Sequence, residues 1–122
     1  MEEKKVGQLT THVLDISTGK PAKKVAIELF KLNEEKQLMK MADAKTNDDG
    51  RVNAPLLEGD ELKRGTYQLQ FHAGDYFREN GGKQNSPFLE VVPIQFVISD
   101  EEDHYHVPLL IAPGGYSTYR GS

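Results

Sequence analysis

The sequence predicts an all-β protein, an antiparallel β-sandwich of about seven or eight short strands with one short helix. Apolar and polar residues alternate in many short segments, which is the period of a half-buried strand. Clusters of Gly, Pro, Asn and Asp separate these segments at intervals of about 8 to 12 residues, and no long segment has a helical period. The 122 residues are enough for one domain that buries about two thirds of its unfolded surface.

The amino-terminal half is predicted to form three strands, over residues 8–14, 24–32 and 37–46. In the first, His12 points away from Leu9 and Val13, because successive side chains of a strand point to opposite faces. Turn residues at 17–21 and 33–36 separate the three. The second strand places three apolar side chains on one face, Val25, Ile27 and Leu29. The third is favoured by an alternation of Met39, Met41 and Asp43.

Residues 47–50, Asn-Asp-Asp-Gly, are the strongest turn signal in the chain. Asp-Gly accepts the positive φ angles of a tight hairpin turn at little cost. The pattern predicts a hairpin with Arg51 at the start of the following strand. Residues 55–64 are polar and turn-prone, and they are predicted to form a connecting loop.

The middle of the chain is predicted to contain a strand over residues 65–73 and the only helix. Asp75 is placed to cap a helical turn that runs to Glu79, and two glycines at 81–82 end it. Residues 83–87 are predicted to form a loop.

Three strands are predicted at the carboxyl end, over residues 92–98, 104–111 and 116–120. An acidic turn at 99–103 precedes the middle strand, in which His104 and His106 lie on the face opposite Tyr105. The last strand is predicted to lie at a sheet edge with unpaired backbone groups, which a second subunit would cover.

Composition excludes several classes of protein. The net charge is -4, and the basic residues form no run, which argues against a nucleic-acid partner. There is no cysteine for a disulfide framework or a thiol nucleophile. The amino terminus has two glutamates and two lysines among residues 1–5 and lacks the apolar stretch of a secretory signal. Residues 1–6 are predicted to be poorly ordered. No segment has the roughly 20 apolar residues of a membrane span. A cytoplasmic protein with a small-molecule partner is expected.

Two histidines and one arginine are the candidates for hydrolytic chemistry. Such a site needs a base with a pKa near neutrality and a positive group where negative charge develops. His12 and His106 both lie opposite the core face of their strands, so the imidazoles meet if the strands adjoin. The competing interpretation is that each histidine is structural and that Arg51 is solvated.

A metal site is a weaker possibility. His104 and His106 share a strand face and could reach one ion. Zinc needs three or four ligands, however, and only His12 and His72 remain. We expect no metal and no cofactor.

Four segments together resemble the 5-hydroxyisourate hydrolase family, the transthyretin-like enzymes of urate breakdown. The resemblance covers essentially the whole chain, and the terminal Tyr-Arg-Gly-Ser is its most specific mark. The segments are 9–15, Leu-Thr-Thr-His-Val-Leu-Asp; 46–51, Thr-Asn-Asp-Asp-Gly-Arg; 104–110, His-Tyr-His-Val-Pro-Leu-Leu; and 119–122.

The resemblance implies a transthyretin-like sandwich of two four-stranded sheets with one short helix. It also implies a homotetramer, a dimer of dimers with active sites where the dimers meet. The implied reaction is hydrolysis of a cyclic amide of 5-hydroxyisourate, which gives 2-oxo-4-hydroxy-4-carboxy-5-ureidoimidazoline.

The resemblance further implies the residues of the site. The catalytic residues are His12, Arg51 and His106, and which histidine is the base stays open. The substrate-binding residues are His12, Arg51, Tyr119 and Ser122. Arg120 and Gly121 are expected to shape the site wall, and His104 receives no catalytic role.

Two other functions remain open from the sequence. A carrier of a small planar ligand would use the same intersubunit channel without turnover, and the sandwich fold does not decide between carrier and enzyme. A metal-assisted hydrolase would lose activity to a chelator.

Overall fold

Alternating burial along the strands sorts the side chains into one shared core and an outer surface. The computed structural model describes residues 6–80 and 87–122. It contains the strands β1 (Gln8–Asp15), β2 (Lys20–Pro21), β3 (Ala26–Leu32), β4 (Leu38–Lys45), β5 (Leu57–Glu58), β6 (Gly65–Phe71), β7 (Val92–Ile98), β8 (His104–Ala112) and β9 (Gly115–Thr118). One 3₁₀ turn (Gly59–Glu61) and one helix, α1 (Ala73–Asn80), complete these elements.

The strands form two sheets. One has the order β2-β1-β8-β9, with β5 also pairing with β1, and the other has the order β4-β3-β6-β7. The predicted all-β sandwich with a short helix is therefore confirmed. It differs in detail, because the first sheet has five strands and β1 pairs in parallel with β8. Along the sequence, all strands of the second sheet lie between β1 and β8. A long connection of this kind allows two strands to pair in parallel.

The core lies between the sheets. Leu9 and Val13 of β1 and Leu109 of β8 are fully buried from one side, and Leu69 and Phe71 of β6 from the other. Each such side chain contributes about 1.5–3 kcal/mol through removal of its apolar surface from water. The opposite faces of β1 and β8 remain partly exposed and are free to carry polar chemistry.

The predicted turn at 47–50 forms, but the hairpin predicted after it does not. Asn47 Oδ1 accepts the backbone N–H groups of Asp49 and Arg51 at 2.9 and 3.1 Å, and Gly50 has a φ of +73°. The chain then leaves β4 for the other sheet, where Arg51 makes an isolated bridge to His12 and starts no strand. A tight turn fixes local backbone angles, and the next pairing partner depends on tertiary packing.

Three further boundaries differ from the prediction. The segment predicted as a loop over 55–64 contains β5 and the 3₁₀ turn, because Leu57 and Leu62 are drawn into the core. Helix α1 begins at Ala73, and Asp75 does not cap it but pairs with Arg78 at 2.7 Å inside it. Strand β9 ends at Thr118, two residues before the predicted end.

Some predictions lie outside the described residues. These are most of the segment 1–6 that was predicted to be poorly ordered, the glycines predicted to end the helix, and most of the loop after them. Within the described ranges, no helix is long and apolar enough to cross a membrane.

Candidate active site

The parallel pairing of β1 with β8 brings two histidines together on the outer face of the five-stranded sheet. The register places Thr10 opposite His106 and His12 opposite Pro108, so the two imidazoles are diagonal neighbours. Nδ1 of His12 lies 2.6 Å from Nε2 of His106. The rings are stacked, with centroids 4.8 Å apart and planes 27° apart. The sequence-based expectation that the imidazoles meet if their strands adjoin describes this geometry.

Thr10 completes a hydrogen-bonded chain with the two rings. Its Oγ1 lies 2.8 Å from Nδ1 of His106. Thr10 is not among the residues predicted for the site, although the alternation of β1 places it on the same face as His12. Thr11, which has the opposite orientation, instead donates from its buried hydroxyl to the carbonyl of Val107 at 2.6 Å.

Arg51 reaches this site from the turn after β4. It makes an isolated antiparallel bridge to His12, and the neighbouring Gly50 carbonyl accepts the N–H of Val13 at 2.8 Å. Only glycine fits position 50, because φ is +73° and a Cβ there would collide with the Val13 carbonyl. The turn thus sets Arg51 directly beside His12.

The surroundings lower the pKa of both imidazoles below the ordinary value of about 6.5. For His12 the largest cause is burial, followed by the charges of His106 and Arg51. For His106 the largest cause is again burial, followed by the charge of Arg51. Both rings are therefore neutral near pH 7, which is the state that a general base requires.

The carboxyl terminus lies against His106. The N–H of Gly121 donates to the carbonyl of His106 at 2.8 Å in an antiparallel bridge. A Cβ on Gly121 would lie 2.7 Å from Cδ2 of His106 and 3.2 Å from Cγ of Pro108. Glycine lets the backbone approach the ring this closely.

Arg120 points to a different place. Its guanidinium donates to Oδ2 of Asp103 and to the carbonyl of His104, both at 3.0 Å, and lies 4.3 Å from the ring centroid of Tyr105. No contact joins it to the imidazole pair within the described ranges. Its side chain fastens the terminus to the start of β8.

Tyr119 and Ser122, predicted to contact substrate, are both exposed, and Tyr119 has 58% of its surface accessible. Tyr119 borders a cleft between β7 and β8 together with Phe96 and Tyr105. No hydrogen bond links Tyr119 or Ser122 to an imidazole in the part of the chain that the structure describes. Their contact with substrate therefore stays a prediction.

The other two histidines lie apart from the pair. Nε2 of His104 is 3.0 Å from the carbonyl of Val6. His72 pairs with Glu28 at 2.7 Å on the second sheet. Among residues 6–80 and 87–122, no three His, Asp or Glu side chains are grouped so that they could hold a metal ion.

Comparison with known sequences gives matches along almost the whole chain. Residues 9–121 match the family model described as "Transthyretin: HIUase/Transthyretin family". A protein of Halalkalibacterium halodurans named 5-hydroxyisourate hydrolase is 53% identical over 117 residues, covering 95% of this chain and 98% of that protein. The 5-hydroxyisourate hydrolase 2 of Rhizobium meliloti is 54% identical over 119 residues, covering 97% and 98%. The enzyme of that name from Mus musculus is 43% identical over 115 residues, covering 93% and 94%.

Solved structures give the same architecture. The 5-hydroxyisourate hydrolase of Klebsiella pneumoniae superposes with a TM-score of 0.79 at 40% identity, covering 95% of this chain and 99% of that one. A structure described as (S)-allantoin synthase superposes with a TM-score of 0.88 at 41% identity. This chain is covered completely in that match but spans only 46% of the other chain.

Proposed function

The chain belongs to the HIUase/transthyretin family, and from that premise we propose that it hydrolyses 5-hydroxyisourate in urate degradation. Relatives named for this activity match it over nearly their full length. The observation that carries the proposal to this chain is the 2.6 Å contact between the imidazoles of His12 and His106 beside Arg51. Burial lowers the pKa of both rings, which suits a general base. The fold alone would serve a carrier equally well.

The geometry favours His12 as the base. Both ring nitrogens of His106 are engaged, Nδ1 with Thr10 and Nε2 with His12. His12 uses only Nδ1 in the described chain, so Nε2 is the nitrogen left to accept a proton from water. The water oxygen then bonds to the carbonyl carbon of the cyclic amide. The carbon–nitrogen bond breaks, and the proton held on His12 passes to the departing ring nitrogen.

Arg51 supplies the positive charge. Negative charge develops on the carbonyl oxygen when water adds, and a guanidinium close to that oxygen would stabilise it. Burial is the main cause of the lowered pKa of both imidazoles, and the charge of Arg51 lowers it further. Arg51 is therefore proposed to stabilise the transition state and also to help keep the imidazoles neutral before the reaction.

The substrate contacts beyond this centre are proposed for Tyr119 and Ser122, together with His12 and Arg51. The support is the bridge from Gly121 to His106, which brings the chain end to the imidazole pair. His12 supplies the base and Arg51 supplies the positive charge, so the proposed reaction uses no metal and no cofactor. Turnover should survive a chelator, and loss of activity on chelation would contradict this part of the proposal.

We also propose a homotetramer, a dimer of dimers with the sites between dimers. Strand β7 pairs only with β6 and strand β9 only with β8 in the described chain, so each sheet has an open edge. Open edges are covered in soluble proteins by a partner or by protective residues. The imidazole pair faces outward, where a second dimer would close it from water. A cytoplasmic location is also proposed, and cell fractionation tests it.

The test of function is direct. Purified protein is added to freshly generated 5-hydroxyisourate, and the ultraviolet signal of the substrate is followed. We expect decay much faster than the spontaneous rate, in proportion to protein concentration. Binding without faster decay would identify a carrier and overturn the enzyme proposal.

A further inference from the structure

Thr10, His106 and His12 form one continuous chain of polar contacts across β1 and β8. Oγ1 of Thr10 lies 2.8 Å from Nδ1 of His106, and Nε2 of that ring lies 2.6 Å from Nδ1 of His12. Thr10 and His106 are partners in the strand register. The strand register therefore sets Thr10 beside His106, and the positions of the protons decide which nitrogen of His12 carries a lone pair.

Two arrangements of protons satisfy the chain when both rings are neutral. In the first, the hydroxyl of Thr10 donates to Nδ1 of His106, Nε2–H of His106 donates to Nδ1 of His12, and His12 carries its proton on Nε2. In the second, His106 donates from Nδ1 to Thr10, and His12 donates from Nδ1 to Nε2 of His106. Only the second leaves a lone pair on Nε2 of His12.

We propose that Thr10 is a positioning residue that fixes this second arrangement by accepting a hydrogen bond from Nδ1–H of His106. Thr10 is only partly buried, so its own hydroxyl proton can point to water while its lone pair accepts. His12 is thereby left with its basic nitrogen outward. The catalytic consequence rests on the proposed hydrolysis, whereas the tautomer of His106 does not depend on it.

The hydrogen-bonded chain of Thr10, His106 and His12 also accommodates the proton that His12 takes from water. When Nε2 of His12 becomes protonated, its Nδ1 proton can move across the 2.6 Å contact to Nε2 of His106. His106 then carries protons on both nitrogens, and Thr10 still accepts from Nδ1. When the leaving nitrogen takes the proton from Nε2 of His12, the shared proton returns from Nε2 of His106 to Nδ1 of His12. Both rings are then neutral again, and every proton is conserved.

The experiment compares three variants of the full chain. Thr10→Val removes the hydroxyl but keeps the shape, and Thr10→Ser keeps the hydroxyl. Thr66→Val, in β6 of the other sheet, is a matched control for replacing a half-buried strand threonine. The ring nitrogens are observed by ¹⁵N NMR of histidine-labelled protein at a pH where both rings are neutral, and kcat/KM is measured by substrate decay.

We expect the wild-type spectrum to show His106 protonated on Nδ1 and His12 unprotonated on Nε2. Thr10→Val should shift His106 and His12 towards the opposite tautomers and lower kcat/KM roughly tenfold, the scale of one hydrogen bond. The serine variant should show the wild-type tautomers and the wild-type kcat/KM, and Thr66→Val should change neither. Recovery by serine would separate the hydroxyl from a merely structural effect of position 10.

Two results would overturn the proposal. One is a wild-type spectrum with His106 protonated on Nε2, and the other is a Thr10→Val protein with the wild-type tautomer and undiminished kcat/KM. An inactive wild-type protein with His106 protonated on Nδ1 would refute the proposed hydrolysis and support the tautomer. The two failures are therefore distinguishable.

Discussion

At the residue scale, two histidines whose nitrogens lie 2.6 Å apart are proposed to have different roles in the reaction. Replacing His12 by Asn removes the base itself, so kcat/KM for 5-hydroxyisourate should fall about 10²- to 10⁴-fold. His72→Asn is the matched control, because His72 pairs with Glu28 on the other sheet and should leave activity near wild type. Full activity in the His12 variant would remove this residue from the mechanism.

The charge of Arg51 predicts the direction in which the pH profile of activity shifts when this residue is replaced. Protonated imidazole cannot act as the base, so kcat/KM should fall as pH drops through the lowered pKa values. Arg51→Gln removes a positive charge that lowers the pKa of both rings, so these pKa values should rise and the acid limb should move to higher pH. The variant should also lose about 10²- to 10³-fold in kcat from weaker charge stabilisation.

The control for this pH profile is Arg64→Gln, which removes an exposed guanidinium from a different loop. Its acid limb should coincide with that of the wild type. An acid limb that stays fixed or moves to lower pH in Arg51→Gln would show that Arg51 does not lower the imidazole pKa values.

The candidate residues could be predicted from the sequence only in part. Alternation placed His12 and His106 opposite the core faces of their strands, and the structure agrees. Their contact could not be derived from local pattern, because it depends on a parallel pairing between strands at opposite ends of the chain. Thr10 lies on the same face of β1 as His12. A threonine in a strand does not by itself indicate a site, and only the pairing with β8 shows that it contacts His106.

At the scale of elements, the segment after β9 controls the approach to His106. Gly121→Ala would place a methyl group 2.7 Å from Cδ2 of His106, so the ring or the terminus must move. We expect kcat/KM to fall about tenfold to a hundredfold, since small displacements in a site have large effects. The melting temperature should change little, because the terminus contributes nothing to the buried core.

Gly114→Ala is the matched control for this substitution. A Cβ at Gly114, in the turn between β8 and β9, meets nothing within 4 Å. Activity and melting temperature should both stay near wild type. Equal losses in the two alanine variants would indicate a general effect on the carboxyl-terminal hairpin and would contradict a specific role for Gly121.

Elements were predicted best where alternation was strict and worst where a segment changes sheet. The turn at 47–50 was correct because Asp-Gly specifies local angles, yet the hairpin was wrong because those angles do not choose the next partner. In the segment 55–64, polar neighbours concealed Leu57 and Leu62, which tertiary packing draws into the core.

At the scale of the whole molecule, we propose that the 122 residues unfold as one domain. Buried side chains from both sheets and from α1 form one hydrophobic cluster. Calorimetry should therefore show one cooperative transition in which the calorimetric and van't Hoff enthalpies agree for the unit that unfolds. Two separate transitions that persist across protein concentrations would contradict a single core.

The proposed tetramer predicts the mass of the particle in solution. We expect sedimentation to give a particle of four chains, in which partner chains cover the open sheet edges and the exposed site face. Dilution that dissociates the dimers of dimers should lower the activity per chain. A monomer with full activity would contradict sites between dimers.

Fold class and family could be predicted from sequence because alternation, turns and the four motifs extend over most of the chain. The edge strand pointed to a second subunit, but the tetramer could be inferred only by resemblance, since it depends on how exposed surfaces of separate copies fit together. No periodicity within one chain encodes that fit.

The central claim is that this chain uses His12, supported by His106 and Arg51, to hydrolyse 5-hydroxyisourate. The most direct measurement is the decay of fresh substrate with wild-type protein, with His12→Asn protein and with buffer alone. We expect rapid decay with the wild type and decay near the buffer rate with the variant. Decay at the buffer rate with the wild type, or equal rapid decay with both proteins, would contradict it.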